Sequence, residues 1–174
     1  IERMRFLGIY SNNLDEFFRV RVATSLRLKK ALINVDPEKA QKTAEVIAEI
    51  QKKVIALQQV FYSTYEQILD ELEEHHIYIK DESDLNEEQQ HFVRTFFLKE
   101  VESLITPIIL SNIKKFPYLK DKAVYLFISL QKKNEKNINA LIELPTDDIS
   151  RFVELPSPDG EQHIIYLDDI IRFN

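Results

Sequence analysis

With 174 residues, 44% of them apolar and 30% charged, the chain has material for one large or two small folded units. Its formal net charge of -6 speaks against general nucleic-acid binding, which needs a basic face. The lack of cysteine excludes disulfides and thiolate chemistry, and with only Gly8 and Gly160 no glycine-rich phosphate loop can form.

Residues 1 to about 32 read as helix, with an interruption or kink expected near Ser11 to Asn13. Beyond it Leu14, Phe18, Val22 and Leu26 recur every four residues, the spacing of one helical face. Arg27, Lys29 and Lys30 near the end suit the negative pole of a helix dipole. Asp36 is a plausible N-cap for a second helix, with Pro37 in the first helical position, where its missing N–H costs nothing. In that helix Ile47, Ile50, Val54, Leu57, Phe61, Tyr65, Ile68 and Leu72 form a long apolar stripe. Such a stripe must pack, so two antiparallel helices with a third supplied from elsewhere predict an up-and-down bundle over 1–76.

Composition changes after Glu73-Glu74-His75-His76, and 77–174 reads as a second, α+β domain. Ile77-Tyr78-Ile79 is short and β-prone, and Lys80 to Leu85 is a polar linker. Asn86 with Gln89 forms a capping box opening a helix through Phe92, Phe96 and Val101, which Thr106-Pro107 should end. Val124 to Leu130 and Ile138 to Leu144 read as paired strands around a polar turn at Lys132 to Asn137. Arg151 to Leu155 and His163 to Leu167 flank the turn signal Pro156-Ser157-Pro158-Asp159-Gly160, a second hairpin in a mainly antiparallel arrangement. Both ends read as cut: Ile1 stands one turn before Met4 and Leu7, and Asp168 to Asn174 reads as the start of a helix, so an interior fragment is expected.

The stretch Arg3 to Ala23, centred on Ser11-Asn12-Asn13-Leu14-Asp15-Glu16-Phe17-Phe18, resembles the N-terminal domain of polyphosphate kinases that pass phosphate through a histidine. Leu104-Ile105-Thr106-Pro107-Ile108-Ile109-Leu110, Ala140 to Pro145, Arg151 to Pro156 and Tyr166 to Arg172 agree in order and spacing, so the resemblance spans essentially the whole chain. It implies a fragment of an enzyme that reversibly transfers the terminal phosphate of ATP to inorganic polyphosphate, inactive by itself. The first helix of its N-terminal domain would precede this chain, and the following head domain, truncated at its C-terminus, would join subunits into a homodimer or larger homo-oligomer. The phosphorylated histidine and the ligands of Mg2+ would lie outside the chain, leaving it no catalytic residue and no metal site.

By the same resemblance Asn13 occupies the position of an ATP-contacting asparagine. A carboxamide carries a donor and an acceptor that match the edge of adenine. The local alternative is an N-cap, since Asn13 and Glu16 have capping-box spacing. Phe18 lies on the apolar stripe and is expected in the core rather than on a base, and Asp15 and Glu16 are expected to be solvated or salt-bridged. Arg3, Arg5, Arg19 and Arg21 could face a polyanion or simply pair with carboxylates. His75 and His76 read as helix-end residues, and His91 and His163 show no matched acid or nucleophile in sequence. No apolar run reaches the roughly 18 residues of a membrane span and no signal peptide opens the chain, so the expectation is a cytoplasmic protein, with peripheral membrane attachment left open. The competing reading is a non-catalytic helical module that binds another protein through the Ile47 to Leu72 stripe.

Overall fold

The computed structural model describes residues 2–113, 115–131 and 137–174, and the chain divides into two compact units between Glu74 and His75. The first unit is a helical hairpin. Helix α1 (Glu2–Phe17) runs into a π-helical turn (Phe18–Val22) and on into α2 (Ala23–Leu32), and α3 (Pro37–Glu74) returns beside them.

The α2–α3 turn forms for the reason its residues suggest. The Asp36 carboxylate accepts the Lys39 backbone N–H at 3.1 Å, and Pro37 opens α3. The interruption expected at Ser11 to Asn13 does not occur: α1 passes straight through it. An exposed asparagine costs a helix interior less than a kcal/mol, too little to break a rod that packs on a neighbour. The irregularity falls one turn later, at Phe18–Val22, where the Ala23 N–H reaches back to the Phe18 carbonyl. This widened turn breaks the four-residue stripe: Val22 is 5% exposed, whereas Phe18 is 36% and Leu26 50% exposed. Phe18 is thus not the core residue expected, and meets the Phe17 ring edge-on at 6.1 Å instead. Along α3, Ile47 and Ile68 are buried but Leu57 between them is largely exposed.

The second unit holds two three-stranded sheets. One, in the order β1-β6-β5, is built from β1 (Ile77–Lys80), β5 (Phe152–Leu155) and β6 (Gln162–Tyr166). The other, β2-β4-β3, uses β2 (Ile108–Ile109), β3 (Tyr125–Leu130) and β4 (Ile138–Glu143). Both expected hairpins form antiparallel, with Tyr125 opposite Glu143 and Phe152 opposite Tyr166. The β1–β6 ladder is parallel, Ile77 opposite Gln162, a long-range pairing that no local pattern announces. Between β5 and β6 the chain reverses at Pro158 to Glu161, where Gly160 takes φ 86° and the Glu161 N–H reaches the Pro158 carbonyl. That positive φ at the third turn position is what glycine supplies. Of the polar turn expected at Lys132 to Asn137, residues 132–136 lie outside the described residues.

Helix α4 (Glu87–Phe96) starts at the expected capping box, with the Asn86 side chain accepting the Gln89 N–H at 2.9 Å. A π-helical turn at Phe97–Val101 ends it, earlier than Pro107 requires, as the Glu102 N–H bonds the Phe97 carbonyl. Phe96 and Phe97 then reach into both cores of this unit. One gathers Leu85, Val93, Val153, Leu155, Ile165 and Ile170; the other gathers Val101, Leu144, Leu167 and Ile171. Helix α5 (Leu167–Phe173) contributes to both, with Leu167 and Ile170 fully buried. Each such side chain supplies roughly 1.5–3 kcal/mol of burial.

Candidate functional site

Helix α1 is anchored to α3 at two levels: Arg3 pairs with Glu71, and the Tyr10 ring packs on Phe61 at 5.8 Å. A groove of about 220 Å³ lies along this seam, lined by Phe6, Leu7, Tyr10, Leu57, Val60 and Phe61. The Tyr10 hydroxyl is buried there and meets no hydrogen-bonding partner among the described residues.

Asn13 stands on α1, exposed, four residues from exposed Ile9 on one side and from Phe17 on the other. Residues four apart share a helical face, so the carboxamide sits within an apolar strip. Its side chain hydrogen-bonds no described residue, and it is an interior helical residue, which removes the capping explanation. Capping needs a residue at the mouth of the helix, where N–H groups are unpaired.

The acids and arginines behave as surface ions. Asp15 pairs with Arg19 at 2.8 Å and Glu2 with Arg5 at 3.2 Å. Exposed pairs of this kind are worth a few tenths of a kcal/mol and exchange readily for another anion. Arg21 is exposed and pairs with no carboxylate among the described residues.

His75 and His76 follow α3 on the surface; His76 adopts φ 61° and its carbonyl accepts the Gln162 N–H at 2.8 Å. His91 is exposed on α4. His163 departs from its sequence reading, because it has an acid partner: Glu161 lies 2.7 Å from Nε2, and the buried Gln89 amide 2.7 Å from Nδ1. Glu161 at i−2 was the available signal, but Gln89 lies 74 residues away in sequence. No group of three or more acid, histidine or cysteine side chains is placed to hold a metal ion among the described residues.

A second polar cluster surrounds Asp169 near the start of α5. Burial pushes its carboxyl up to about 6, against the pull of Arg172, whose guanidinium bridges Asp169 at 2.6 Å and Glu82 at 3.1 Å. Among the described residues no helix is long and apolar enough to cross a membrane.

Residues 1–80 match the polyphosphate kinase N-terminal domain and residues 88–174 the polyphosphate kinase middle domain. The chain belongs to the polyphosphate kinase family. It is 38% identical over 99% of its length to a polyphosphate kinase of Vibrio parahaemolyticus, and 35% identical over 99% to that of Escherichia coli K12. In each case it spans 25% of the relative's length. The crystal structure of the Porphyromonas gingivalis polyphosphate kinase superposes with a TM-score of 0.79 at 33% identity, covering 97% of this chain and 25% of that one. The helical unit followed by a small α+β unit is therefore the architecture of the N-terminal and middle regions of a polyphosphate kinase.

Proposed function

We infer that the chain forms the base-side wall of the nucleotide site in an enzyme that reversibly passes the terminal phosphate of ATP to inorganic polyphosphate. The observation that carries this reading is Asn13: a carboxamide with no partner among the described residues, set mid-helix between exposed Ile9 and Phe17. A purine offers a donor–acceptor edge to the amide and an apolar face to its neighbours. Orienting the base at one end of ATP aims the terminal phosphate at a nucleophile elsewhere in the polypeptide, and phosphoryl transfer depends largely on such positioning.

That nucleophile, a histidine, lies outside this chain. His163 has both ring nitrogens engaged, while His75, His76 and His91 have no acid partner among the described residues. The Mg2+ that accompanies ATP takes its ligands outside the chain as well. Arg19 and Arg21 are candidates to meet the polyphosphate, one in an exchangeable surface pair and the other without a described carboxylate. The second unit serves subunit association, in a homodimer or larger assembly. Strand β3 forms an outer edge of its sheet without a charged residue, and Phe127 and Leu130 on it are 60% and 58% exposed.

The deciding experiment is Asn13→Ala in the full-length enzyme. The Michaelis constant for ATP should rise about tenfold, equivalent to about 1.4 kcal/mol, with polyphosphate affinity unaltered. An unchanged constant would remove Asn13 from the nucleotide site.

A further inference from the structure

The geometry points to a proton-operated latch on the N-terminus of α4, formed by His163, Gln89 and Glu161, that is closed when the imidazole is neutral and opens when Nδ1 takes a proton. This stands independently of the nucleotide reading, because all its parts lie in the second unit.

The hydrogen-bond pattern fixes the closed state. The Gln89 side chain is 1% exposed and every polar atom in it is engaged. Its Oε1 accepts the Asn86 backbone N–H at 3.3 Å, and its Nε2 donates both to the Pro156 carbonyl at 2.9 Å and to His163 Nδ1 at 2.7 Å. Two donor contacts on one side and a backbone N–H on the other leave a single amide orientation. Nδ1 must therefore be the acceptor, and Nε2 carries the ring hydrogen, which it donates to Glu161 Oε2 at 2.7 Å. His163 is thus a neutral ring of one tautomer, 8% exposed, set edge-on against Tyr78 at 5.0 Å.

A proton on Nδ1 would oppose an N–H to the Gln89 NH2. The bond returns only if the amide turns over and presents Oε1. That turn leaves the Pro156 carbonyl without its donor and sets an NH2 against the Asn86 N–H, breaking the Gln89 side-chain half of the capping box that starts α4. An unpartnered buried polar group costs about 1–3 kcal/mol, comparable with the cap itself. Glu161 works the other way, since its carboxylate favours the imidazolium. In the remaining shell, β1 presents Tyr78, with the Lys80 Nζ 5.5 Å above that ring; β5 presents Leu155, opposite His163, and the Pro156 carbonyl; and α4 presents Gln89. Glu161 is thus the charged group bonded to the ring, and Lys80 lies beyond the tyrosine. Protonation of the ring and the start of the helix are therefore coupled through the Gln89 amide.

The test uses the full-length enzyme, reading the His163 ring by NMR of 13Cε1-labelled histidine and the α4 start by hydrogen exchange at residues 86–90. After correction for the intrinsic pH dependence of exchange, protection there should fall at least tenfold as the His163 ring takes up its proton. Glu161→Gln, which leaves the buried ring in place, should move the step to lower pH. Gln89→Glu, whose carboxylate accepts from both the imidazolium and the Asn86 N–H, should abolish the loss of protection on protonation. Constant protection while the ring takes up its proton, or a step unmoved in Glu161→Gln, would each overturn the latch.

Discussion

The two units of this chain are stabilised in different ways. Among the described residues the first unit buries four apolar side chains, Val22 in the π-helical turn and Ala40, Ile47 and Ile68 on α3. It leaves many large ones in water, including Phe6, Ile9, Phe17, Ile55, Val60 and Tyr62. The second unit closes two clusters over Val93, Val101, Ile165, Leu167 and Ile170, all 0% exposed. The difference teaches where each unit's side chains act. In the second they hold one another, so substitution there is read as stability. In the first many face outward, so substitution is read through whatever meets that surface.

The largest expected effect tests that contrast directly. Ile165→Ala should cost about 3–4 kcal/mol in denaturant unfolding of the chain, because the gap it leaves in a filled core cannot close. Leu57→Ala, at a side chain 49% exposed, should cost under about 1 kcal/mol in the same measurement. An equal loss at both positions would abolish the contrast. A Leu57→Ala loss that grows to core size in the full-length enzyme would sharpen it, by showing that the face is covered there.

Next comes Asn13→Ala, where function and stability should part. Alongside the tenfold rise in the ATP Michaelis constant, unfolding should show a small gain of about 0.5 kcal/mol, since alanine suits a helix interior better than asparagine. An N-cap would instead lose about 1 kcal/mol.

A smaller effect concerns pH and belongs to the second unit alone. The Asp169 carboxyl is raised in the folded state from 3.8 to about 6, so the protonated form is the one folding favours. Its contribution is fully present below the unfolded value and is lost as pH rises through the folded one. Stability should therefore fall by about 1 kcal/mol between pH 5 and pH 7, and Asp169→Asn should flatten that slope in pH-dependent unfolding. The smallest effect lies on α3, where Lys42→Ala removes an exposed pair with Glu38 at 2.7 Å. Thermal unfolding should register less than about 0.5 kcal/mol.

How far these features were legible follows the range of the interactions behind them. Asp36-Pro37 and Asn86 with Gln89 each fix a helix start within four residues, and both starts lie where those residues put them. The β3–β4 and β5–β6 hairpins are likewise local, set by β-branched runs and a turn glycine. The parallel β1–β6 ladder and the two-residue β2 depend on partners tens of residues away and carry no local pattern. At the candidate site Asn13 was visible as a residue type, whereas its placement inside an unbroken helix was not, because its cost there is smaller than the packing of α1 on α3. The contacts of His163 and the burial of Asp169 arise only when separate elements meet.

The widened turn at Phe18–Val22 inserts about one residue's worth of rotation into a helix that otherwise continues through Leu32. Side chains before and after it are consequently phased independently. The strip around Asn13 can aim in one direction while Val22 finds its buried place in another, without spending a loop. Removing one residue from this turn would bring the two halves back into step, and would turn Asn13 away from its present bearing by roughly a quarter of a revolution relative to the seam that holds Val22.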